Sequence, residues 1–375
     1  MAFFHETRDW PKFSWHAAAL LPQLGRTRHK QGLLLGQMRH LGFDLRAEAA
    51  VEVLTSDVVR SSAIEGERLD ADAVRSSIAR RLGLPEAGAR RTHRDIEGIV
   101  EVMLDATRSA ALPMTAARLC GWHAALFLVG YSGTRPIAVG TWRPAEAGPM
   151  QVVSGPMGRE RVHFEAPAAE RLADEMTTFI AWLNAADGED PLLRAAIAHL
   201  WFVTIHPFED GNGRLARAIA DMMLARADGC PERFYSMSTQ IEAERKEYYR
   251  ILERTQRGDG DITAWLEWFL GCLERSIEQA DVLTAGVLRK AAVWQTLNDG
   301  PPVNDRQRLV VNRLLDDFKG PLTTSKYAKL AKCSADTALR DVQDLVGRGV
   351  LACGTAGGRS THYLLVDPRE PSRRA

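Results

Sequence analysis

HPFEDGNGRLAR, residues 206–217, sets an imidazole, two carboxylates, a Gly-Asn-Gly turn and two arginines into one short stretch. Upstream of it, Leu193, Ala196, Leu200 and Val203 recur every three or four positions, the spacing of a buried helix face, and Pro207 stops that helix. Downstream, Leu215, Ile219 and Met222 form the apolar stripe of a second helix that starts after Gly213. Residues 206–213 are therefore expected as a loop held between two packed helices. Gly211 and Gly213 let successive backbone N–H groups converge, and the helix that follows adds its positive N-terminal end, which together make an anion cradle. Arg214 and Arg217, three apart on one helix face, can grip separate phosphates of a polyphosphate. Asp210 suits Mg2+, which takes one or two carboxylates beside phosphate oxygens and water. His206 suits a general base, because an imidazole with a pKa near 6.5 accepts a hydroxyl proton close to neutrality. Each feature alone is commonplace, but about eight fixed positions at roughly 5% each make chance assembly rarer than about one in a million. The implied chemistry is attack by a hydroxyl on phosphorus.

The rest of the chain frames this stretch. With 48 basic and 48 acidic residues in 375, the whole molecule has no net field that would favour nucleic acid, a membrane surface or acidic ligands. Apolar runs fall short of a bilayer span and the N-terminus lacks a leader pattern, so a soluble, cytoplasmic protein without a membrane partner is expected. Cys120, Cys230, Cys272, Cys333 and Cys353 are scattered and odd in number, which points to reduced core residues rather than disulfides or structural zinc. Helical periodicity runs over Glu48 to Ile64, Arg94 to Ala106, Pro167 to Asn184, Leu192 to Thr204, Leu215 to Arg226 and Ile262 to Val287, so the fold class is mainly α, a helical bundle. Met150 to Val153 and Arg161 to Phe164 read as the strands of a small hairpin around SGPMGRE. Breakers at Asn298 to Pro302 suggest a linker, after which the pattern changes. His199, on the same face as His206 but without a partner at ligand spacing, reads as structural.

The twelve-residue stretch resembles the signature of the Fic family: His, then Phe, an acidic residue, Gly-Asn-Gly-Arg and a final Arg. Proteins resembling it mostly transfer AMP from ATP to a Ser, Thr or Tyr hydroxyl of a target protein, with pyrophosphate leaving. The resemblance implies His206 as base, Asp210 as the Mg2+ ligand and Phe208 as an apolar anchor of the loop. It places Gly211, Asn212, Gly213 and Arg214 on the α and β phosphates and Arg217 on the γ phosphate, with Leu215 and Ala216 inside the same nucleotide-binding run. The related Doc kinases carry Ala and Lys around the Asn, so the two glycines favour nucleotidyl transfer, with ATP the default nucleotide. SSAIEG, residues 61–66, is similar to the family's inhibitory motif: it puts Ser61 and Glu65 one turn apart on a helix that Gly66 stops. Glu65 delivered to Arg217 would compete with the γ phosphate and restrain the enzyme.

By the same resemblance, the hairpin from Met150 to Phe164 is a flap that binds a target segment by strand addition, and the protein can also modify itself. Tyr248 and Tyr249 would border the adenine, with core packing as the competing reading. DWPKFSW, residues 9–15, reads as an aromatic anchor of the N-terminal helices. After the linker, a short helix, a turn, a helix from Ser334 to Val346 and a strand-like THYLLV follow the winged-helix pattern. Its candidate recognition helix carries Asp336, Asp341 and Asp344 against Arg340, so a protein-binding or dimerising wing stands beside a DNA-binding one. The expected domains are an N-terminal helical module over 1–110 with the inhibitory helix at about 48–66, a catalytic domain over 111–290, a winged helix over 300–367 and a loose tail over 368–375. The function these readings support is protein adenylyl transfer restrained by Glu65. Two alternatives stay open, removal of AMP at the same site and a nucleotide-sensing DNA-binding regulator.

Overall fold

The computed structural model describes residues 3–39, 43–84, 94–155, 159, 161–185, 188–315, 318, 320–354 and 361–366. Helices dominate, as expected. They begin with α1 Ala17–Arg39, α2 Phe43–Ile64, α3 Ala71–Arg81, α4 Arg94–Arg108 and α5 Ala116–Leu126, and two antiparallel ribbons follow, β1 Tyr131–Ser132 with β2 Arg135–Pro136 and β3 Gln151–Ser154 with β4 Arg161–Glu165. Next come α6 Leu172–Asn184, α7 Pro191–Ile205, α8 Asn212–Asp228, α9 Met237–Ala243, α10 Arg245–Gln256 and α11 Thr263–Asn298. The chain continues with α12 Asp305–Leu315, α13 Thr324–Ala331, α14 Ala335–Gly347 and the antiparallel pair β5 Leu351–Cys353 and β6 Tyr363–Leu365.

The chain divides into two compact units, Met1–Ala280 and Asp281–Ala375. The division falls inside α11. The breakers at Asn298 to Pro302 end α11 rather than separate the units, and Val293 and Leu297 of that helix already belong to the second core. Nor does the packing divide near residue 110, because α2, α4, α7 and α8 share one core.

At the centre of the first unit lies α7, whose residues from Leu192 to Ile205 are all buried, with Pro191 at its first turn and Asp190 capping the amide of Leu192 at 2.8 Å. Beside it runs α8, nearly as buried. Ile96, Ile99, Val100, Met103 and Ala106 line the apolar stripe of α4, as its periodicity predicts, and this helix packs on α5 and α8. Gly98 makes that approach possible: a Cβ there would lie 1.8 Å from the carbonyl oxygen of Ala125. Gly98→Ala is expected to cost about 3 kcal/mol as backbones separate, and to lower Tm by more than about 4 °C in a thermal melt. A Tm within about a degree of wild type would contradict this packing.

The N-terminal aromatic anchor is present. Trp10 and Phe13 meet Trp201 edge to face at 6.2 and 5.5 Å, and Trp10 Nε1 donates to Glu175 at 2.8 Å. The cysteines are free thiols, but only Cys272 is fully buried and Cys353 is exposed, so the expectation that all five are core residues is corrected.

In the second unit, Val310, Val311, Tyr327, Val342, Leu345 and Tyr363 form a core from three helices and the β5–β6 hairpin. Asp341 does not face outward as its helix position suggests. It is buried, accepts from Arg306, Asn304 and Tyr327, and so ties α14 to α12 and α13. The tail over 368–375 and residues 156–158 and 160 of the hairpin loop lie outside the described residues.

Candidate active site

Pro207 ends α7, and His206 takes the cap position in a left-handed conformation, φ 50° and ψ 58°, that a non-glycine residue adopts only when its surroundings impose it. Those surroundings are specific. Arg143, buried, donates from Nε to the carbonyl of His206 at 2.9 Å, from its own amide to Pro207 O at 2.9 Å, and from the other arm of its guanidinium to Pro167 O. Phe208 is fully buried and stacks on His123, with centroids 4.1 Å apart and planes 3° from parallel. Phe208 is thus the loop anchor that the sequence suggested. Asn212 clasps it, with Oδ1 accepting from Phe208 N at 3.0 Å and Nδ2 donating to Phe208 O at 2.8 Å. Glu209 accepts from the amide of Ala138 at 2.6 Å and pairs with Arg135 at 3.1 Å. Gly211 completes the turn at φ 79°, where a Cβ would stand 2.8 Å from the ring of Phe127.

This clamped loop presents the reactive groups. His206 Nδ1 lies 3.1 Å from the carbonyl of Val203, and a carbonyl can only accept, so Nδ1 carries the proton and Nε2 keeps the lone pair of a base. Burial holds its pKa below the ordinary histidine value, which keeps the ring neutral. Asp210 accepts from Gly211 N at 2.5 Å and from the hydroxyl of Ser132. Its oxygens retain further lone pairs beside the helix N-terminus, and a carboxylate so placed fits a Mg2+ ion whose other ligands are phosphate and water. The amides of Asn212, Gly213 and Arg214 belong to the first turn of α8 and lack intrahelical acceptors, as an anion site requires. The side chain of Asn212 closes the loop, which leaves its amide for a phosphate. Leu215 donates its amide to Gly211 O at 3.0 Å, and Leu215 and Ala216 turn fully buried side chains into the core.

The C-terminal end of α2 meets α8 at this point. Arg217, only 2% exposed, donates from Nε to Ser61 Oγ at 2.8 Å, and from Nη2 to Ser61 O at 2.9 Å and Glu65 Oε1 at 2.8 Å. Gly66 follows at φ 91°, ending the helix as expected. Glu65 also lies against the first turn of α8, since a Cβ on Gly213 would fall 2.2 Å from its Oε1. A carboxylate thus stands where the cradle would receive an anion. Arg214 pairs with Glu67 at 2.9 Å and lies over the ring of Phe127 at 5.0 Å. Among the described residues, Arg217 Nη1 and Arg214 Nε are buried without a hydrogen-bond partner, two donors aimed at nothing in this arrangement.

Tyr248 and Tyr249 separate. Tyr248 is buried and meets His199 Nε2 at 2.9 Å, which is the core-packing alternative, so its ring does not present a face to a base. Tyr249 is 39% exposed beside Arg245, and it is the aromatic that remains open to a ligand. His199, structural as expected, is fully buried, and burial pushes its pKa down to about 3. Sequence reasoning missed Arg143, Ser132, His123 and Glu67. Only Glu67, two residues beyond Glu65, carried a local signal.

Comparisons with known proteins agree with this geometry. Residues 113–224 match the Fic/DOC family, and residues 3–84 match a domain of unknown function, DUF4172. The protein adenylyltransferase Fic of Nematostella vectensis is 38% identical over 114 residues, 30% of this chain and 25% of that protein. Its counterpart in Drosophila mojavensis is 33% identical over 114 residues, 30% of this chain and 21% of that protein. The match thus spans about a quarter of the length of these relatives. A Fic family protein of Desulfovibrio desulfuricans shares the fold, with a TM-score of 0.52 at 21% identity over 92% of this chain and 96% of that one. A Fic domain-containing signaling protein of Bacteroides thetaiotaomicron superposes with a TM-score of 0.51 at 19% identity over 70% and 97%. Residues 113–224 thus carry a Fic/DOC domain, and the fold around the site is that of the solved Fic structures. In this chain that domain lies behind an N-terminal segment whose helix α2 reaches into the site.

Proposed function

We propose that the chain is a protein adenylyltransferase that moves AMP from ATP to a hydroxyl of a target protein or of itself, and that Glu65 restrains it. The observation that carries this reading is the pairing of a neutral His206, its Nε2 lone pair free, with an anion cradle at α8 flanked by Arg214 and Arg217. In this reading His206 Nε2 takes the proton of the attacking hydroxyl, and the oxygen bonds to the α phosphorus as the bond to pyrophosphate breaks. The first-turn amides and Arg214 orient the α and β phosphates, and Arg217 binds the γ phosphate once Glu65 has left it. Mg2+ held by Asp210 would neutralise charge on the phosphates and the leaving pyrophosphate.

The β3–β4 hairpin supports target binding: Val152 and Val153 are exposed at 36% and 47%, on β3, whose other edge pairs with no further strand among the described residues. Residues 300–367 are assigned to a winged helix, with a protein partner or a second copy favoured over DNA because Arg340 is outnumbered by Asp336 and Asp344 on α14. Among the described residues no helix is long and apolar enough to cross a membrane.

ATP labelled at the α phosphorus is expected to leave label on protein, and ATP labelled at the γ phosphorus is not. Label arriving only from the γ position would replace this reading with phosphoryl transfer. Because burial lowers the pKa of His206, the base stays neutral to lower pH, and the acid limb of kcat/KM is expected below about pH 6.5. A limb above that value would show that another group titrates.

A further inference from the structure

Away from the nucleotide cradle, the β3–β4 hairpin carries a second hydrogen-bonded chain of reactive groups. Ser154 Oγ lies 2.6 Å from His163 Nε2, and His163 Nδ1 lies 2.7 Å from Glu253 Oε2. The order hydroxyl, imidazole, carboxylate is that of an activated nucleophile, its base and the group that orients the base. Local structure explains how three distant residues meet. Ser154 pairs with Arg161 across the hairpin, and a register shift between Val152 and Val153 leaves His163 as the unpaired bulge residue of β4, its imidazole reaching Ser154 Oγ. Glu253 comes from α10, which packs on β4 and donates from Arg257 to the carbonyls of Val162 at 2.9 Å and His163 at 3.0 Å. Those bonds fix the strand that bears the base. Arg161 holds the other carboxylate oxygen of Glu253 at 2.9 Å, which fixes the orienting group in turn.

The hydrogen-bond roles are constrained. A carboxylate only accepts, so His163 Nδ1 carries a proton, and in the neutral ring Nε2 is then the acceptor facing the Ser154 hydroxyl. Ser154 is exposed, whereas the side chains of His163 and Glu253 are only 26% and 21% exposed. The nucleophile is thus open to a substrate and its base is partly sheltered. None of the three residues belongs to the nucleotide chemistry above, so this site stands or falls independently of it.

We propose that Ser154, His163 and Glu253 form a second reactive centre, a serine nucleophile that accepts the acyl group of a small, activated carboxylic ester. The Ser154 hydroxyl passes its proton to His163 Nε2, its oxygen bonds to the ester carbonyl carbon, and the carbon–oxygen bond to the leaving alcohol breaks. The leaving oxygen takes the proton from His163. Solvent water then attacks the acyl carbon and gives a proton to His163, which passes it to Ser154 Oγ as the bond from Oγ to the acyl carbon breaks and the carboxylic acid leaves.

The test uses p-nitrophenyl acetate and the full chain. Release of p-nitrophenolate is expected at least about 10-fold above that of Ser154→Ala, with an acetyl group located on Ser154 by peptide mass spectrometry after acid quench. His163→Ala is expected to fall as far as Ser154→Ala, because nucleophile and base act as a unit. Glu253→Gln is expected to fall between wild type and these two. Release that is equal in wild type and Ser154→Ala would overturn the proposal. So would acetylation of Ser154 that His163→Ala leaves unchanged, the behaviour of an ordinary exposed serine.

Discussion

Glu65→Gly is expected to raise AMP transfer roughly 5- to 150-fold, the range of a coupling of about 1–3 kcal/mol between two sites. Glu65 and a phosphate compete for one cation. Arg217 is almost wholly buried, and its described anionic partner is the carboxylate of Glu65, which also lies against the first turn of α8. Removing that carboxylate frees both the guanidinium and the helix N-terminus for a phosphate, while Ser61 still holds Arg217 from behind through Nε and Nη2. Glycine at 213 is a condition of the restraint, because any side chain there would meet the Glu65 carboxylate. Labelling with α-labelled ATP, compared between wild type and Glu65→Gly at equal concentration, measures the effect. Equal labelling would remove Glu65 from the regulation. Loss of AMP removal in the variant would instead assign Glu65 the placement of an attacking water.

The second large effect is on the base. His206→Ala in the Glu65→Gly background is expected to lower transfer by about 10²- to 10⁴-fold, the range for a positioned general base. Nucleotide binding should change little, because the cradle consists of α8 amides, Arg214 and Arg217, and the loop is held by Arg143, Phe208 and Asn212 rather than by the imidazole itself. Single-turnover transfer read beside a nucleotide titration separates the two. A variant that loses binding and transfer in equal measure would place His206 in the cradle and not in the proton transfer.

The chemistry of the site was legible because its residues are contiguous. In residues 206–217 the spacing alone predicts the base and the turn between two helices and the arginines on the second, and α7 and α8 lie there. What the spacing could not reveal was which groups the loop consumes for itself. Asn212 looked like a ligand residue, yet both ends of its side chain close the turn on Phe208. Arg143 gave no signal, because its side chain reaches backbone carbonyls 63 and 24 positions away. The match of Ser61 and Glu65 to Arg217 was legible only through resemblance, since it joins positions about 150 residues apart.

The fold was readable where burial is apolar. Helix α1 escaped the periodicity because its buried stripe, Leu20, Thr27, Gln31, Leu34 and Met38, includes two polar residues, and Pro22, Gly25, Gly32 and Gly36 imitate breakers. Gln31 is tolerated inside because it donates to Asp228 at 2.5 Å. The start of the second unit inside α11 has no breaker to mark it. The Gly-Pro-Pro run ends α11, but the apolar residues that seed the second core, Val293 and Leu297, already lie before it.

The most direct test is a crystal structure of the Glu65→Gly chain with Mg2+ and ATP. Phosphates are expected along the first turn of α8, the γ phosphate on Arg217, the metal on Asp210, and the α phosphorus on the side of the loop that His206 Nε2 faces. A nucleotide bound elsewhere, or turned so that its γ phosphorus faces His206, would contradict this.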